Sequence, residues 1–233
     1  MGDTDIDNIS ARIQARVQQE QDILANRDAE KKNSPQKMPK ISSHFVIECS
    51  QARDKGNGLL FTELMRNKLV FVPEGKYWLE WQGHRWKEMY DQAAEASVEK
   101  VADEYAKAKA KEAEAYREAT AEEDKEATKL HKRHMADLSR SIWNLHCPAG
   151  VKACLQMSLA NDNPLLAPAD YLDKDPYILG CINGLVDIRT GEARAGRPED
   201  YVTLSCRPEW TGIESPCPLW DRMVLEVFGD NSE

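Results

Sequence analysis

"GCINGLVDIRTGEARAGRPEDYVT", residues 180–203, packs Asp, Glu and Arg around two glycine turns. Read one way this is a charged active site, and read the other way it is the chemistry needed to fold a short sheet. Asn183-Gly184 and Thr190-Gly191 are turn dipeptides, and Leu185, Val186 and Ile188 between them supply strand surface. Arg189, Glu192 and Arg194 then fall where a solvated turn and a sheet edge put charge. The pattern predicts strands over residues 177–182, 185–188 and 202–206, and it favours sheet building over bond breaking.

Working outward, "SPCPLWDRMVLEVFGD" at 215–230 predicts a helix with Ser215 as N-cap and Pro218 in the first turn. Leu219, Trp220, Met223, Val224 and Val227 form its apolar face, and Gly229 stops it. Upstream, residues 91–145 are rich in Ala, Glu and Lys. An apolar stripe runs from Ala94 through Tyr105 to Leu145 and predicts long helix, in one piece or bent near 122–125. The stripe is thin between Tyr105 and Leu130 and Glu112 interrupts it, so that stretch is expected to project or to lean on a neighbour. A further helix is predicted over 151–159.

"KYWLEWQGHRWKEM", residues 76–89, reads as a hairpin. A two-residue Gln82-Gly83 loop would set Trp81 opposite His84 and Leu79 opposite Trp86. Before it, "HFVIEC" at 44–49 reads as a strand, "KGNG" at 55–58 as a turn, and "LLFTELMRNKLVFVPEG" as a short helix followed by a strand over 68–72. Residues 5–27 carry Ile6, Ile9, Ile13 and Val17 at helical spacing, predicting an amphipathic arm. "EKKNSPQKMPK" at 30–40 is a linker. The whole reads as α+β, with short antiparallel hairpins flanking a charged, Ala-rich helical insertion over 91–160, and with the two sheet parts meeting in one core.

Bulk properties exclude some classes. The net charge of −9 argues against a surface evolved to grip polyanions, so any DNA contact has to be local or shared between subunits. The charged fraction of 30% and mean hydropathy of −0.65 require a strongly solvated part, which the helical insertion supplies. None of the six cysteines forms a C-x-x-C pair, the reading expected of free thiols in a reducing cytoplasm. No secretory h-region and no membrane-length apolar run occurs, so a soluble cytoplasmic protein is expected.

Enzyme motifs fail residue by residue. The only Gly-Lys step, Gly75-Lys76, has Val70 where a phosphate loop needs its first glycine and Tyr77 where it needs Ser or Thr. Asp3, Asp5 and Asp7, and the pair Asp173 and Asp175, are types that can hold catalytic metal, but Asp also marks turns and caps, and that reading is preferred. His131 and His134 sit one helical turn apart, flanked by Lys132 and Arg133, and read as a solvated face; no metal site is assigned. Trp78, Arg85, Trp86 and Lys87 are candidates for stacking bases and touching phosphates, with a core role for the tryptophans as the commoner use.

Taken together, residues from about 59 onward resemble the poxvirus-type helicase-associated domain. That domain is found in phage and plasmid primase-helicases of the satellite-phage type, ahead of a superfamily-3 helicase. The resemblance rests on "FVPEGKYWLEWQGHRWK", "LDKDPYILGCINGLVDIRTGEARAGRPEDYVTLSCRPEW" and "SPCPLWDRMVLEVFGD". Its most specific part is the order Asp175, Pro176, Asn183, Gly184, Asp187, Arg189, Thr190, Gly191, Glu192. The resemblance implies a non-catalytic linker or collar, with these nine residues in structural roles. It also implies a downstream ATPase domain as partner, ring-shaped self-assembly, and single-stranded or forked DNA nearby. ATP and magnesium are expected only for that motor, beyond Glu233, and no cofactor for the residues present. A stand-alone interaction protein, and a metal-dependent primase or nuclease using the Asp pairs, remain as alternatives.

Overall fold

Ser42 starts the first helix, its hydroxyl accepting a hydrogen bond from the Phe45 N–H at 3.1 Å. Residues 41–229 are described by the computed structural model; the amphipathic arm expected over 5–27 lies outside them. The fold is α+β, with 53% helix and two small three-stranded antiparallel sheets among the described residues.

The stretch expected to be a strand, 44–49, is instead helix α1 (Ser43–Gln51). The "KGNG" turn lies inside helix α2 (Arg53–Met65). The reason is packing. A Cβ on Gly56 would stand 2.7 Å from the Cys49 carbonyl carbon, and one on Gly58 would stand 2.6 Å from the Met157 carbonyl carbon. Both glycines are buried where helices cross closely, so they serve approach rather than reversal. Between them Asn57 is buried and accepts a hydrogen bond from the Tyr105 hydroxyl at 2.9 Å.

The first sheet is β1 (Leu69–Val72), β2 (Tyr77–Trp81) and β3 (Trp86–Met89), in sequence order. The expected β2–β3 register is corrected. Trp81 pairs with Trp86 and Leu79 with Glu88, and the loop is closed by Gln82 N–H donating to the Arg85 carbonyl at 2.9 Å. Two more residues in the loop leave Trp81 and Trp86 facing each other, ring centroids 5.5 Å apart.

Both faces of this sheet are covered, so the single core expected from the sequence is two. Leu69, Phe71, Trp78 and Met89 face the helices, joining Leu60, Phe61, Met65, Val101, Tyr105 and Leu138. Val70, Val72, Leu79 and Trp86 face the other way, onto Ala167, Leu172 and Tyr201. The strand alternation assigns each residue to its layer.

After the short helix α3 (Asp91–Ser97) the insertion is a hairpin of α4 (Glu99–Ala121) and α5 (Lys125–Leu145), the bent alternative. Asp124 makes the bend by accepting from the N–H groups of Glu126 and Ala127 at 3.1 and 3.0 Å, with Glu123 at φ +59°. Helix α6 (Pro148–Ser158) follows, Pro148 lying in its first turn.

The second sheet is β4 (Ile178–Cys181), β5 (Gly184–Asp187) and β6 (Glu192–Arg194). Its third strand is therefore not 202–206, which contributes only a bridge between Ser205 and Gly180. The Thr190-Gly191 turn folds the next residues straight back, pairing Asp187 with Glu192 and claiming the β5 edge first. The last helix, α7 (Pro218–Phe228), is capped by Cys217 rather than Ser215, because Pro218 occupies its first position.

Candidate functional site

The 175–192 signature is built almost wholly from turn chemistry. Ile182 and Asn183 form the reversal between β4 and β5, where Cys181 pairs with Gly184. Gly184 has φ +148°, and a side chain there would run into the Arg194 carbonyl oxygen. The Asn183 side chain donates to the Trp210 carbonyl and accepts from the Trp210 N–H, both at 2.9 Å, pinning the strand-free segment beyond residue 206. Asp187 accepts from the Arg189 N–H at 2.9 Å and from its guanidinium at 2.9 and 2.6 Å. That fork holds the Asp187 carboxyl down at about 2. Asp175 caps its own turn by accepting from Tyr177 N–H at 3.0 Å and stands 3.5 Å from Arg189. Thr190 accepts from Glu192 N–H at 3.2 Å.

Beside this frame lies a groove of about 530 Å³ with three tyrosines, Tyr171, Tyr177 and Tyr201, in its wall. Arg189 lies over the Tyr177 ring at 4.7 Å. Tyr171 and Tyr201 stand 6.1 Å apart, and Tyr201 stacks at 16° on buried Trp86. Burial first, then the charge of Glu199 and the neighbouring Tyr171, pushes the Tyr201 hydroxyl up. The groove's cations are Lys174 and Arg189, against Asp175, Glu199 and Asp200. With Arg189 already paired, a phosphate chain would meet net negative charge there. No Ser, Cys or His lines it; its polar side chains are the three tyrosines, Lys174, Arg189 and three carboxylates.

The sequence candidates for base stacking come apart in space. Trp78 and Trp86 are core, 4% and 1% exposed, on opposite faces of the first sheet. Trp86 also donates from Nε1 to the Pro198 carbonyl at 2.8 Å and from its backbone to the Val202 carbonyl at 2.7 Å. Neither indole is available to a base. Of the four candidates only Lys87 is exposed; Arg85 is half-buried, its Nε with no hydrogen-bond partner.

The carboxylate pair is also divided. Asp173 accepts from the hydroxyl and N–H of Thr203 and from Leu204 N–H at 3.2 Å, fastening the returning chain, while Asp175 faces Arg189. Reading His131 and His134 as a solvated face is corrected: both are half-buried and bonded to Glu112 on the opposite helix. The signal for this was Glu112 itself, the charged residue inside the apolar stripe.

A family model described as D5 N terminal like matches residues 58–229, which take in both sheets, the helical hairpin and α7. The chain belongs to this family. D5 N-terminal-like domains form the non-catalytic N-terminal part of phage and viral primase-helicases, in keeping with a signature spent on turns. A search of curated proteins found no match. No described helix of this D5 N-terminal-like domain is long and apolar enough to cross a membrane.

Proposed function

We propose that the chain serves as a linker or collar of a phage or plasmid DNA-replication helicase, aiding ring assembly and the positioning of single-stranded or forked DNA. The observation that carries this reading is α7. It stands at the end of the family match and none of its residues is buried. Leu219, Trp220, Val227 and Phe228 are 70%, 59%, 65% and 71% exposed. Apolar surface of this kind marks a protein contact, and each such side chain is worth about 1.5–3 kcal/mol when fully covered. A downstream ATPase domain is the partner we assign to it, with ATP and magnesium belonging to that motor.

The reading frame beyond Glu233 tests this directly. A G-x-x-x-x-G-K-[ST] loop within the next domain length is expected; a frame without one overturns the proposal. In a protein that has the motor, Leu219→Asp with Trp220→Asp is expected to shift sedimentation from ring to monomer. Unchanged sedimentation removes α7 from the assembly surface.

A further inference from the structure

The helical hairpin holds a second cluster that neither core requires. Glu112 projects from α4, and His131 and His134 project from α5 one turn apart. Both rings aim Nδ1 at the same carboxylate oxygen, Oε2, at 2.8 and 2.9 Å. The side chains are 13%, 23% and 16% exposed, so the site is sheltered yet open to water. The rings stand at 84° with centroids 6.3 Å apart, converging from two directions rather than stacking. The two nitrogens and the oxygen all lie within 4.8 Å of one another.

We propose that Glu112, His131 and His134 bind a borderline divalent cation of the zinc class, bridging α4 and α5. Zinc takes imidazole nitrogen and carboxylate oxygen at about 2.0–2.2 Å, which separates neighbouring ligand atoms by roughly 3.3 Å in a tetrahedron. The two Nδ1–Oε2 spacings, 2.8 and 2.9 Å, open to that value by about half an ångström. Three protein ligands leave a fourth position for water, while magnesium and calcium prefer sets made of oxygen. The cations adjacent in sequence do not oppose this. Lys132 is exposed, and Arg133, also exposed, turns toward Asp137 at 4.0 Å.

Burial pushes the Glu112 carboxyl up, while the hydrogen bonds and charge of the two histidines pull it down, and the group is held below its ordinary value. Binding replaces two Nδ1–H···Oε2 hydrogen bonds with two Nδ1–metal bonds. A ring that donates from Nδ1 gives that proton to solvent and takes one up on Nε2, so each bound ring carries its single proton on Nε2. The ion would tie the hairpin across its bend, fixing the α4–α5 angle.

The test is titration of the metal-free chain with zinc, read by calorimetry and thermal unfolding, and with cobalt(II), read by its visible spectrum. One equivalent is expected to bind. At free zinc about 100 times the Kd, the Tm is expected to rise by roughly 5–10 °C. Magnesium is expected to do nothing. His134→Gln and Glu112→Gln are each expected to weaken zinc on the order of 100-fold; far-UV circular dichroism confirms that they stay helical, and His131→Gln stands in for either one that does not.

Cys181 and Cys206, whose sulfurs are 3.3 Å apart, are the competing zinc ligands, so the Cys181→Ser, Cys206→Ser double variant is titrated alongside. Retained binding in that variant, with cobalt bands free of thiolate charge transfer, supports the hairpin site. Absence of binding, binding unmoved by the His and Glu variants, or binding lost only with the cysteines overturns it.

Discussion

Replacing Trp86 separates its two readings, base-stacking surface and core. The indole is 1% exposed, packs on Trp81 and Tyr201, and holds the Pro198 carbonyl through Nε1 at 2.8 Å. Truncating a buried Trp costs about 3–5 kcal/mol through lost burial and the cavity left behind. Trp86→Phe keeps most of the apolar ring but loses the Nε1 bond to the Pro198 carbonyl, which still accepts from the Tyr201 N–H at 3.3 Å, a cost of about 0.5–1.5 kcal/mol. Against a total stability of about 5–15 kcal/mol, the Ala variant gives up a large share. At about 2–4 °C per kcal/mol for a chain of this size, its Tm falls by roughly 6–20 °C. Urea unfolding followed by far-UV circular dichroism measures the loss. Single-stranded DNA binding is followed by fluorescence anisotropy on the same samples under conditions where both variants stay folded. The expected outcome is Ala far below Phe and Phe below the parent in stability, with affinity for DNA unmoved. An Ala variant within ~1 kcal/mol of the parent, or one that loses DNA while keeping its stability, refutes the placement of this side chain in the core.

Gly58→Ala gains helix propensity of about 1 kcal/mol, but its methyl meets the Met157 carbonyl carbon at 2.6 Å and the Ser158 nitrogen at 2.7 Å, so a net loss of about 1–3 kcal/mol is expected in urea unfolding. Asp187, depressed by Arg189 to about 2 from 3.8, contributes stability that is present above pH 4 and lost as the pH falls through about 2. A carboxyl-carbon NMR titration should find Asp187 still ionised at pH 3, and should find its midpoint moved up toward the ordinary carboxylate range in Arg189→Ala, which loses the guanidinium but keeps the backbone N–H bond. Thiol labelling followed by mass spectrometry should modify exposed Cys217 first. Burial pushes Cys181 to about 11 and Cys49 and Cys154 to about 12, so these three should react last.

Local chemistry was legible and long-range geometry was not. The turn at 190–191, the strand expected over 68–72 and found at 69–72, and the bend near 122–125 each follow from residues adjacent in the chain; the first reversal falls at 182–183, one residue before the expected Asn183-Gly184 turn. Residues 44–49 misled because three apolar neighbours in six residues fit a strand as well as a helix; the Ser42 cap and the helix crossings at Gly56 and Gly58 decide between them. Strand β6 has only Ala193 as an apolar side chain to announce it and exists because the preceding turn aims it at β5. The Glu112–histidine cluster joins positions that only the hairpin brings together, and Trp86 reads as core only once residues 198–202 have come back over the sheet.

That returning cover has a consequence for how the protein is made. The helical face of the first sheet is closed by segments lying on either side of it in the chain, but Val70, Val72, Leu79 and Trp86 wait for Ala167, Leu172 and Tyr201. On a ribosome adding about 5–20 residues per second, the interval between Trp86 and Tyr201 is on the order of ten seconds. For much of it an apolar, three-stranded surface carrying Trp86 stands uncovered beside other nascent chains. Chaperone occupancy during synthesis should therefore peak in that window and fall once residue 202 has cleared the exit tunnel.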